Sequence, residues 1–443
     1  MSEPAVRTNR SLWRHVDFMK LWTGETVSQL GTQVTQLALP LAAILVLKAS
    51  AFQVGLLAAL EFLPFILFGL PAGVWVDRLR RRPVLIAGDV LRVLTLGSIP
   101  VAYKLGTLHI GQLYAVAFLT GIGTVFFDVA YQSYLPALVE RDQLVDGNAK
   151  LEMSRSAAQL GGPALGGFLV QLFKAPVAIA ADAVSYVWSA AFIVFIRRPE
   201  PPIDTRGADG KHPKMRSEIA EGWRYVWRHA LLRPIAFCTA TANLFGQMIF
   251  ALFVLFAVRS LHLKAGQIGL LFSLGSVGAL IGAMVVRRSA ERLGVGSAII
   301  GSIFVSSLAA LLIPATPRSL ALPMLLTAQF FFGFGAVIYN SNQVGLRQAI
   351  TPARMQGRMN ATMRFMVWGT IPIGSFVGGI LGNTIGIRTT MWIGAIGGLL
   401  AVVPPLLSPV RRLERIPALP EESVGEALAA GHDGLLVDHA PEV

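Results

Sequence analysis

Residues 52–76 read FQVGLLAALEFLPFILFGLPAGVWV, an apolar stretch with a single acidic residue, Glu61. The basic segment DRLRRRP (77–83) follows, and then a second apolar stretch, VLIAGDVLRVLTLGSIPVAY (84–103). An α-helix of about 20 apolar residues is long enough to cross a hydrocarbon core of about 30 Å. The pattern therefore predicts two membrane-spanning helices joined by a short basic loop.

The rest of the chain repeats this pattern. Of the 443 residues, 54% are hydrophobic and 14% are charged, a composition that excludes a water-soluble protein. The predicted spans are 18–47, 52–76, 84–103, 110–138, 149–173 and 176–196, then 233–259, 266–286, 296–314, 320–346, 358–383 and 387–407. The sequence thus predicts an all-α membrane protein of twelve transmembrane helices, six on each side of one polar segment.

The distribution of basic residues predicts the orientation. If both termini are cytoplasmic, 28 of the 38 Lys and Arg residues lie in cytoplasmic segments, 7 lie in the opposite loops and 3 lie within spans. Such an excess is typical of cytoplasmic loops. We therefore expect a multi-pass inner (plasma) membrane protein surrounded by lipid, and we attribute the net charge of +13 to topology rather than to nucleic-acid binding.

The same features divide the chain into five parts. These are a cytoplasmic N-terminus without a removable signal peptide (1–17), an N-terminal half (18–196), a cytoplasmic linker (197–232), a C-terminal half (233–407) and a cytoplasmic tail expected to be disordered (408–443). Within the linker, residues 215–231 are predicted to form an amphipathic helix at the membrane surface.

An internal repeat relates the two halves. QVGLL (53–57) recurs 214 residues later as QIGLL (267–271). Asn148, Ala149, Gly162, Gly166 and Gly167 recur 212 residues later as Asn360, Ala361, Gly374, Gly378 and Gly379. Such repeats indicate two pseudo-symmetric six-helix halves with a binding site at their interface, the arrangement of alternating-access transporters.

The loop GVWVDRLRRRP (73–83) resembles the major facilitator signature Gly-x-x-x-Asp-Arg-x-Gly-Arg-Arg, with Arg80 in place of the second glycine. The resemblance implies a conformational latch on the outward-facing state, formed by Gly73, Asp77, Arg78 and Arg81. Gly73 would permit close helix approach, Asp77 would face a helix N-terminus of the other half, and the arginines would pair with acidic groups. The alternative is an ordinary basic stop-transfer cluster.

A second motif lies in the fifth span. Gly162, Pro163, Gly166 and Gly167 resemble the Gly-Pro-x-x-Gly-Gly element of major facilitator exporters. Proline frees backbone groups and glycines permit close packing, so the motif predicts a hinge or a tight seam. The alternative is generic packing of small residues.

Further matches extend over most of residues 12–407, including LPALV (135–139) and Pro352 with Gly357 and Arg358. The chain resembles the bacterial major facilitator subgroup that includes the enterobactin exporter and macrolide efflux permeases. The resemblance implies the major facilitator fold and proton-driven export of a bulky or amphipathic molecule.

Polar residues recur along the spans that line the central cavity in that superfamily. The first span carries Glu25, Gln29, Thr32 and Gln36 at spacings of four, three and four, which places them on one helix face. The other candidate cavity residues are Gln132, Asn243, Gln247, Asn340 and Gln343. Each amide could contact substrate or form a hydrogen bond between helices.

Charges within spans are costly and therefore informative. Glu61 lies near the midplane, whereas Glu25 and Asp128 lie closer to the cytoplasm with Arg92, Arg155 and Arg364. We expect Asp128 to pair with Arg81 or Arg155. Glu61 is the first candidate for proton coupling, ahead of Glu25 and Asp128, and its alternative is a permanently paired carboxylate.

The expected function is secondary active export, by proton antiport, of a lipophilic metabolite, a siderophore or a drug, without enzymatic activity. We expect a monomer. We also expect no cofactor and no ATP hydrolysis, because the sequence contains neither a nucleotide-binding loop nor a His or Cys cluster with metal-ligand spacing. Two alternatives remain: a nutrient importer or facilitator, and a membrane sensor or lipid scramblase that transports no solute.

Overall fold

The computed structural model describes residues 12–140, 143–198, 200 and 215–417, and its secondary structure within them is helical. The helices are α1 (Val16–Leu41), α2 (Ala51–Asp77), α3 (Arg81–Lys104), α4 (Ile110–Leu138), α5 (Leu144–Phe173), α6 (Ala175–Val194), α7 (Met215–Arg228), α8 (Leu232–Arg259), α9 (Ala265–Leu293), α10 (Val295–Ala315), α11 (Ala321–Ala349), α12 (Ala353–Thr384), α13 (Ile387–Leu399) and α14 (Val403–Leu406). A π-helical turn, Ala42–Val46, extends α1.

Eleven helices in the described part of the chain are long and apolar enough to cross a membrane. The remaining predicted span is α5, which is long enough but begins with the polar sequence LVDGNAKLEMSRSAAQ (144–159). This helix packs between α1 of its own half and α9 of the other. Because neighbouring helices cover two sides of α5, this helix presents less surface to lipid and can contain more polar residues than the other spans.

The elements form two halves, α1 to α6 and α8 to α14, with α7 between them in sequence. α7 lies against α12, where Glu221 forms a salt bridge with Arg358 and the Tyr225 hydroxyl donates to the Ile350 carbonyl at 3.3 Å. Trp223 and Trp227 stay exposed and stack on one another. The described part of α7 thus has one packed face and one aromatic face suited to a membrane surface.

Part of the predicted disordered tail is folded. Residues 409–412 form a 3-10 turn in which Val410 is buried, and the Gly296 N–H donates to the Leu413 carbonyl at 2.8 Å. This contact fixes the tail to the start of α10, so the expectation of disorder does not hold for residues 408–417. Residues 418–443 lie outside the described part.

The repeat detected in the sequence has a physical role at the helix starts. At α2, the Ser50 N–H donates to Gln53 Oε1 at 2.8 Å, and the Gln53 N–H donates to Ser50 Oγ at 3.2 Å. At α9, the Lys264 N–H donates in the same way to Gln267 Oε1 at 2.9 Å. Both repeated glutamines therefore cap helix N-termini.

The repeated glycines join the two halves. A Cβ on Gly55 of α2 would lie 2.5 Å from the Gly379 Cα of α12, and a Cβ on Gly269 of α9 would lie 3.0 Å from the Gly167 Cα of α5. These two contacts are equivalent under the repeat. Since only glycine permits such approach, α2 with α12 and α5 with α9 form a pair of symmetric seams.

The seams lie at the end of the bundle where α1 and α8 finish, which we call the closed end. There, the Arg259 guanidinium donates to the Ala49 carbonyl at 2.7 Å, and the Phe52 and Phe376 rings are 5.9 Å apart. Towards the opposite end, which we call the open end, a cavity of about 250 Å³ lies between α2 and α12, and a Cβ on Gly69 or Gly357 would meet no atom within 4 Å. These two helices are therefore packed closely at one end and more loosely at the other.

Candidate functional site

A cavity of about 510 Å³ lies between the halves, on the inner side of the seams. It is bounded by α1, α2, α5, α8 and α9. Its polar lining residues are Gln33, Gln36, Glu61, Gln159, Gln247 and Ser276, and its apolar lining includes Leu57, Phe62, Phe250, Val254 and Phe272. Of the residues predicted to line a cavity, Gln36 and Gln247 are located here, together with the proton-coupling candidate Glu61.

Glu61 is the only charged residue among the described residues that line this cavity. Its side chain is partly exposed, and within the described part of the chain no residue forms a hydrogen bond or salt bridge with the carboxylate. The backbone behind it is fixed, because a Cβ on Gly121 of α4 would lie 2.8 Å from both the Glu61 carbonyl oxygen and Pro64. A rigid helix segment thus presents an unpaired carboxylate to an otherwise neutral cavity.

The predicted polar face of α1 divides between two environments. Gln36 reaches the cavity, but Gln29 donates to Glu25 Oε1 at 2.6 Å, and the Thr32 hydroxyl is 2.8 Å from the Tyr186 hydroxyl of α6. Glu25 is buried, and its Oε2 has no partner among the described residues. These three residues contact their own half rather than the cavity between the halves.

A buried ion pair lies behind them. Arg92 and Asp89, three residues apart on α3, are 2.5 Å apart, and their side chains are 4% and 0% exposed. The Arg92 guanidinium lies between the rings of Phe127 and Tyr186, at 4.2 and 4.1 Å from their centroids. Desolvated contacts of this kind stabilise a buried cation.

The sequence interpretation missed Asp89 and a second buried acid, Asp182 of α6, which accepts a hydrogen bond from Ser185 at 3.0 Å. The three-residue spacing of Asp89 and Arg92 within an apolar helix was the available signal. The N-terminal half therefore contains more buried charge than was predicted.

Asp128 faces the opening between the halves. It is exposed there and forms no ion pair within the described residues, so the expected pairing with Arg81 or Arg155 is wrong. The cations that act on it electrostatically are Arg92, Arg155 and, from the other half, Arg364. Gln132, one turn further along α4, is also exposed.

The candidate residues of the C-terminal half gather around a second cavity, of about 430 Å³. Asn243 and Asn340 line it, and Asn243 donates to the Val367 carbonyl at 2.9 Å. Gln343 is buried and donates to Asn340 Oδ1 at 2.9 Å. Gln343 therefore positions Asn340 rather than lining the cavity.

The segment predicted to form a conformational latch (73–83) makes its observed contacts within the N-terminal half. The N–H groups of Arg81 and Arg82 donate to the Glu200 carboxylate at 2.7 and 2.8 Å and so cap α3. A Cβ on Gly73 would meet no atom within 4 Å, and Arg78 is exposed. The Asp77 side chain lies outside the described part, so its predicted contact with the other half is a proposal.

The motif in α5 lies at a seam. Besides the contact of Gly167, the Ala164 N–H that follows Pro163 donates to Ser273 Oγ of α9 at 2.9 Å. Gly162 and Gly166 instead pack on Gln33 and Val34 of α1. The four motif residues thus place α5 between its own half and the other.

Comparison with known proteins gives the family. The sequence model of a protein family described as transmembrane secretion effectors matches residues 9–433. Macrolide efflux protein A of Streptococcus pyogenes is 24% identical over 408 residues, which cover 91% of this chain and 98% of that protein. The multidrug efflux pump Tap of Mycolicibacterium fortuitum is 25% identical over 396 residues, with coverage of 87% and 94%.

Solved structures show the same fold. A mutant of the nucleoside transporter NupG has a TM-score of 0.71 at 13% identity, covering 88% of this chain and 99% of that chain. A bacterial homologue of the iron transporter ferroportin, in its inward-facing state, has a TM-score of 0.70 at 18% identity, with coverage of 90% and 99%. The chain therefore belongs to the transmembrane secretion effector family of major facilitator transporters, and it is a multi-pass plasma-membrane transporter rather than an enzyme.

Proposed function

We propose that this protein exports lipophilic small molecules in exchange for protons. The proposed cargo is a macrolide or another drug, as in the names of its relatives. The observation that carries the proposal is Glu61, which is unpaired and is the only charged residue lining the cavity between the halves in the described part of the chain. A carboxylate in this position can bind a proton or the cationic part of a substrate, and the two then compete for one site.

The seams support transport by alternating access. The halves meet through glycine pairs at the closed end and pack more loosely at the open end, and the excess of basic residues favours a cytoplasmic location for the open end. Cargo enters from the cytoplasm in this state. Opening of the seams and closure of the opposite end then expose the cavity, with Glu61, to the outside.

The test uses Glu61→Gln, which keeps the shape and hydrogen-bonding capacity of the side chain but removes its titration. In proteoliposomes with a labelled macrolide, we expect the variant to lose transport driven by a pH gradient and to retain downhill exchange. Glu291→Gln is the matched control, because Glu291 is exposed on α9 and pairs only with Arg287 among the described residues. Full pH-driven transport by Glu61→Gln would refute the coupling role, and uptake without efflux by the native protein would favour import.

A further inference from the structure

The second cavity lies inside the C-terminal half, between α8, α10, α11 and α13. Small residues make the room: Gly246 on α8, Ser306 and Ser307 on α10, and Gly394 and Gly398 on α13. A volume of about 430 Å³ is within the range of roughly 300–1,000 Å³ that small-molecule pockets occupy. The cavity is therefore large enough for a ligand.

Its lining carries no charge among the described residues and contains the rings of Phe250, Phe253, Phe332 and Tyr339. Of the lining hydroxyl groups, those of Ser306, Ser307, Thr239 and Tyr339 are already engaged, whereas that of Ser341 is available to a ligand. Ser306 and Ser307 donate to the carbonyls of Phe332 and Gly398 at 3.2 and 3.1 Å, and the Tyr339 hydroxyl is 2.5 Å from the Thr239 hydroxyl. The amides are partly engaged, since Asn243 donates to the Val367 carbonyl and Asn340 Oδ1 accepts from Gln343. Asn243 Oδ1, the Asn340 N–H groups and the Gln329 amide remain as hydrogen-bonding groups for a ligand.

The second cavity is distinct from the one that contains Glu61. Asn243 and Gln247 lie one turn apart on α8, yet Asn243 faces the second cavity and Gln247 faces the first. Phe250 borders both cavities, and its ring meets that of Phe272 at 6.1 Å on the side of the first. Phe250 therefore marks the boundary between a neutral aromatic cavity and the cavity that contains the Glu61 carboxylate.

We propose that the second cavity is a separate binding site for an uncharged, aromatic, lipophilic molecule that carries one or two hydrogen-bonding groups. Aromatic rings and amides complement such a ligand. A cation there would lose its hydration without gaining a counter-charge, which costs several kcal/mol. This site goes beyond the proposed export function, because its occupation does not require Glu61 to titrate.

Two variants fill the cavity without a clash. A Cβ on Gly246 or on Gly398 would meet no atom within 4 Å, so a leucine at either position has room to extend into the cavity from α8 or from α13. Gly369→Leu is the matched control. Gly369 on α12 is equally unobstructed and does not line either cavity.

The experiment labels the purified full-length protein in nanodiscs with a neutral aryl diazirine and with its trimethylammonium derivative, and maps the cross-links by peptide mass spectrometry. We expect the neutral probe to label the α8 and α11 lining at Asn243 and Asn340. Labelling should fall about tenfold in Gly246→Leu and in Gly398→Leu and stay unchanged in Gly369→Leu and Glu61→Gln. The cationic probe should instead label the cavity of Glu61, and retention of that labelling in the leucine variants verifies their fold.

Neutral labelling that survives both leucine variants, or equal labelling of Asn243 and Asn340 by the cationic probe, would overturn the proposal. If Gly246→Leu fails to fold, Gly398→Leu gives the same test from the opposite wall. The neutral probe reports on this cavity whether or not Glu61→Gln loses pH-driven transport. Failure of the proposed export mechanism is therefore distinguishable from failure of the second site.

Discussion

The two halves of the molecule share a backbone plan but differ in chemistry. The glycine seams obey the repeat, since Gly55 meets Gly379 and Gly269 meets Gly167. The acids do not. Residues 16–196 contain eleven acids, including Glu25, Glu61, Asp89, Asp128 and Asp182 within the helices, whereas residues 232–407 contain only Glu291, which is exposed near the end of α9.

The proposed mechanism accounts for this difference. It requires both seams to open and close together, so a substitution that blocks either seam would stop the cycle. It requires only one titrating site. The C-terminal half would then contribute aromatic rings and amides to the cavities, and the N-terminal half would contribute the charged groups.

The largest expected effect concerns a buried charge that serves structure. Asp89→Asn leaves the Arg92 guanidinium, 4% exposed, without its anionic partner. Breaking one partner of a buried pair costs about 3–5 kcal/mol. We expect a marked fall in the melting temperature of the purified protein, and Asp89→Asn combined with Arg92→Met should recover most of it.

Glu61→Gln is the comparison for that measurement, because Glu61 has no partner to lose among the described residues. Its melting temperature should stay close to that of the native protein, in line with substitutions that break no contact, at about 0.5 kcal/mol or less. A native-like melting curve for Asp89→Asn would show that the N-terminal acids are not divided between structure and coupling.

The next effect tests the symmetry of the seams. A Cβ on Gly55 would lie 2.5 Å from the Gly379 Cα, and one on Gly269 would lie 3.0 Å from the Gly167 Cα. Backbone atoms cannot move aside cheaply, and overpacking costs about 1–3 kcal/mol. We therefore expect Gly55→Ala and Gly269→Ala each to lower transport by up to about 100-fold.

Closure can be read directly from a cysteine placed at Gln36 in a Cys238→Ser background, since Gln36 lines the cavity behind the seams. In both alanine variants it should react faster with a reagent added at the closed end. Gly369→Ala is the control, because its Cβ would meet no atom within 4 Å. A strong effect of one seam variant and none of the other would contradict symmetric closure.

The sequence predicts the fold well because the membrane imposes a simple rule. Apolar length and helical periodicity are local properties, so the twelve helices and two halves are readable from the sequence, and even α5 is recognised by its repeat despite its polar start. Repeated Gln53 and Gln267 also mark helix starts, because a cap involves residues only three apart.

Site chemistry is less readable because it depends on neighbours from other helices. Periodicity places Gln29 and Gln36 on one face of α1, but it cannot show that Gln29 bonds Glu25 while Gln36 reaches the cavity. Gln33 and Gln159 were missed for the same reason. Asp128 was expected to pair because a carboxylate within a span is costly, yet it faces an opening that no local pattern reveals.

The smallest expected effect concerns Asp128 of α4 and Arg364 of α12, two opposite charges that act on one another from different halves. Both side chains are exposed, so solvent screens their interaction, and we expect it to contribute less than about 1 kcal/mol. Attraction between them favours closure of the open end. Asp128→Asn and Arg364→Gln should therefore each lower transport about threefold at low salt and less at high salt.

The double variant should be no slower than either single one, because the second substitution removes an interaction that is already lost. Arg155→Gln is the control for charge alone, since Arg155 also acts on Asp128 but lies in the same half. If the two single effects multiply in the double variant, the charges act independently, and the opening is then governed by the seams rather than by attraction between the halves.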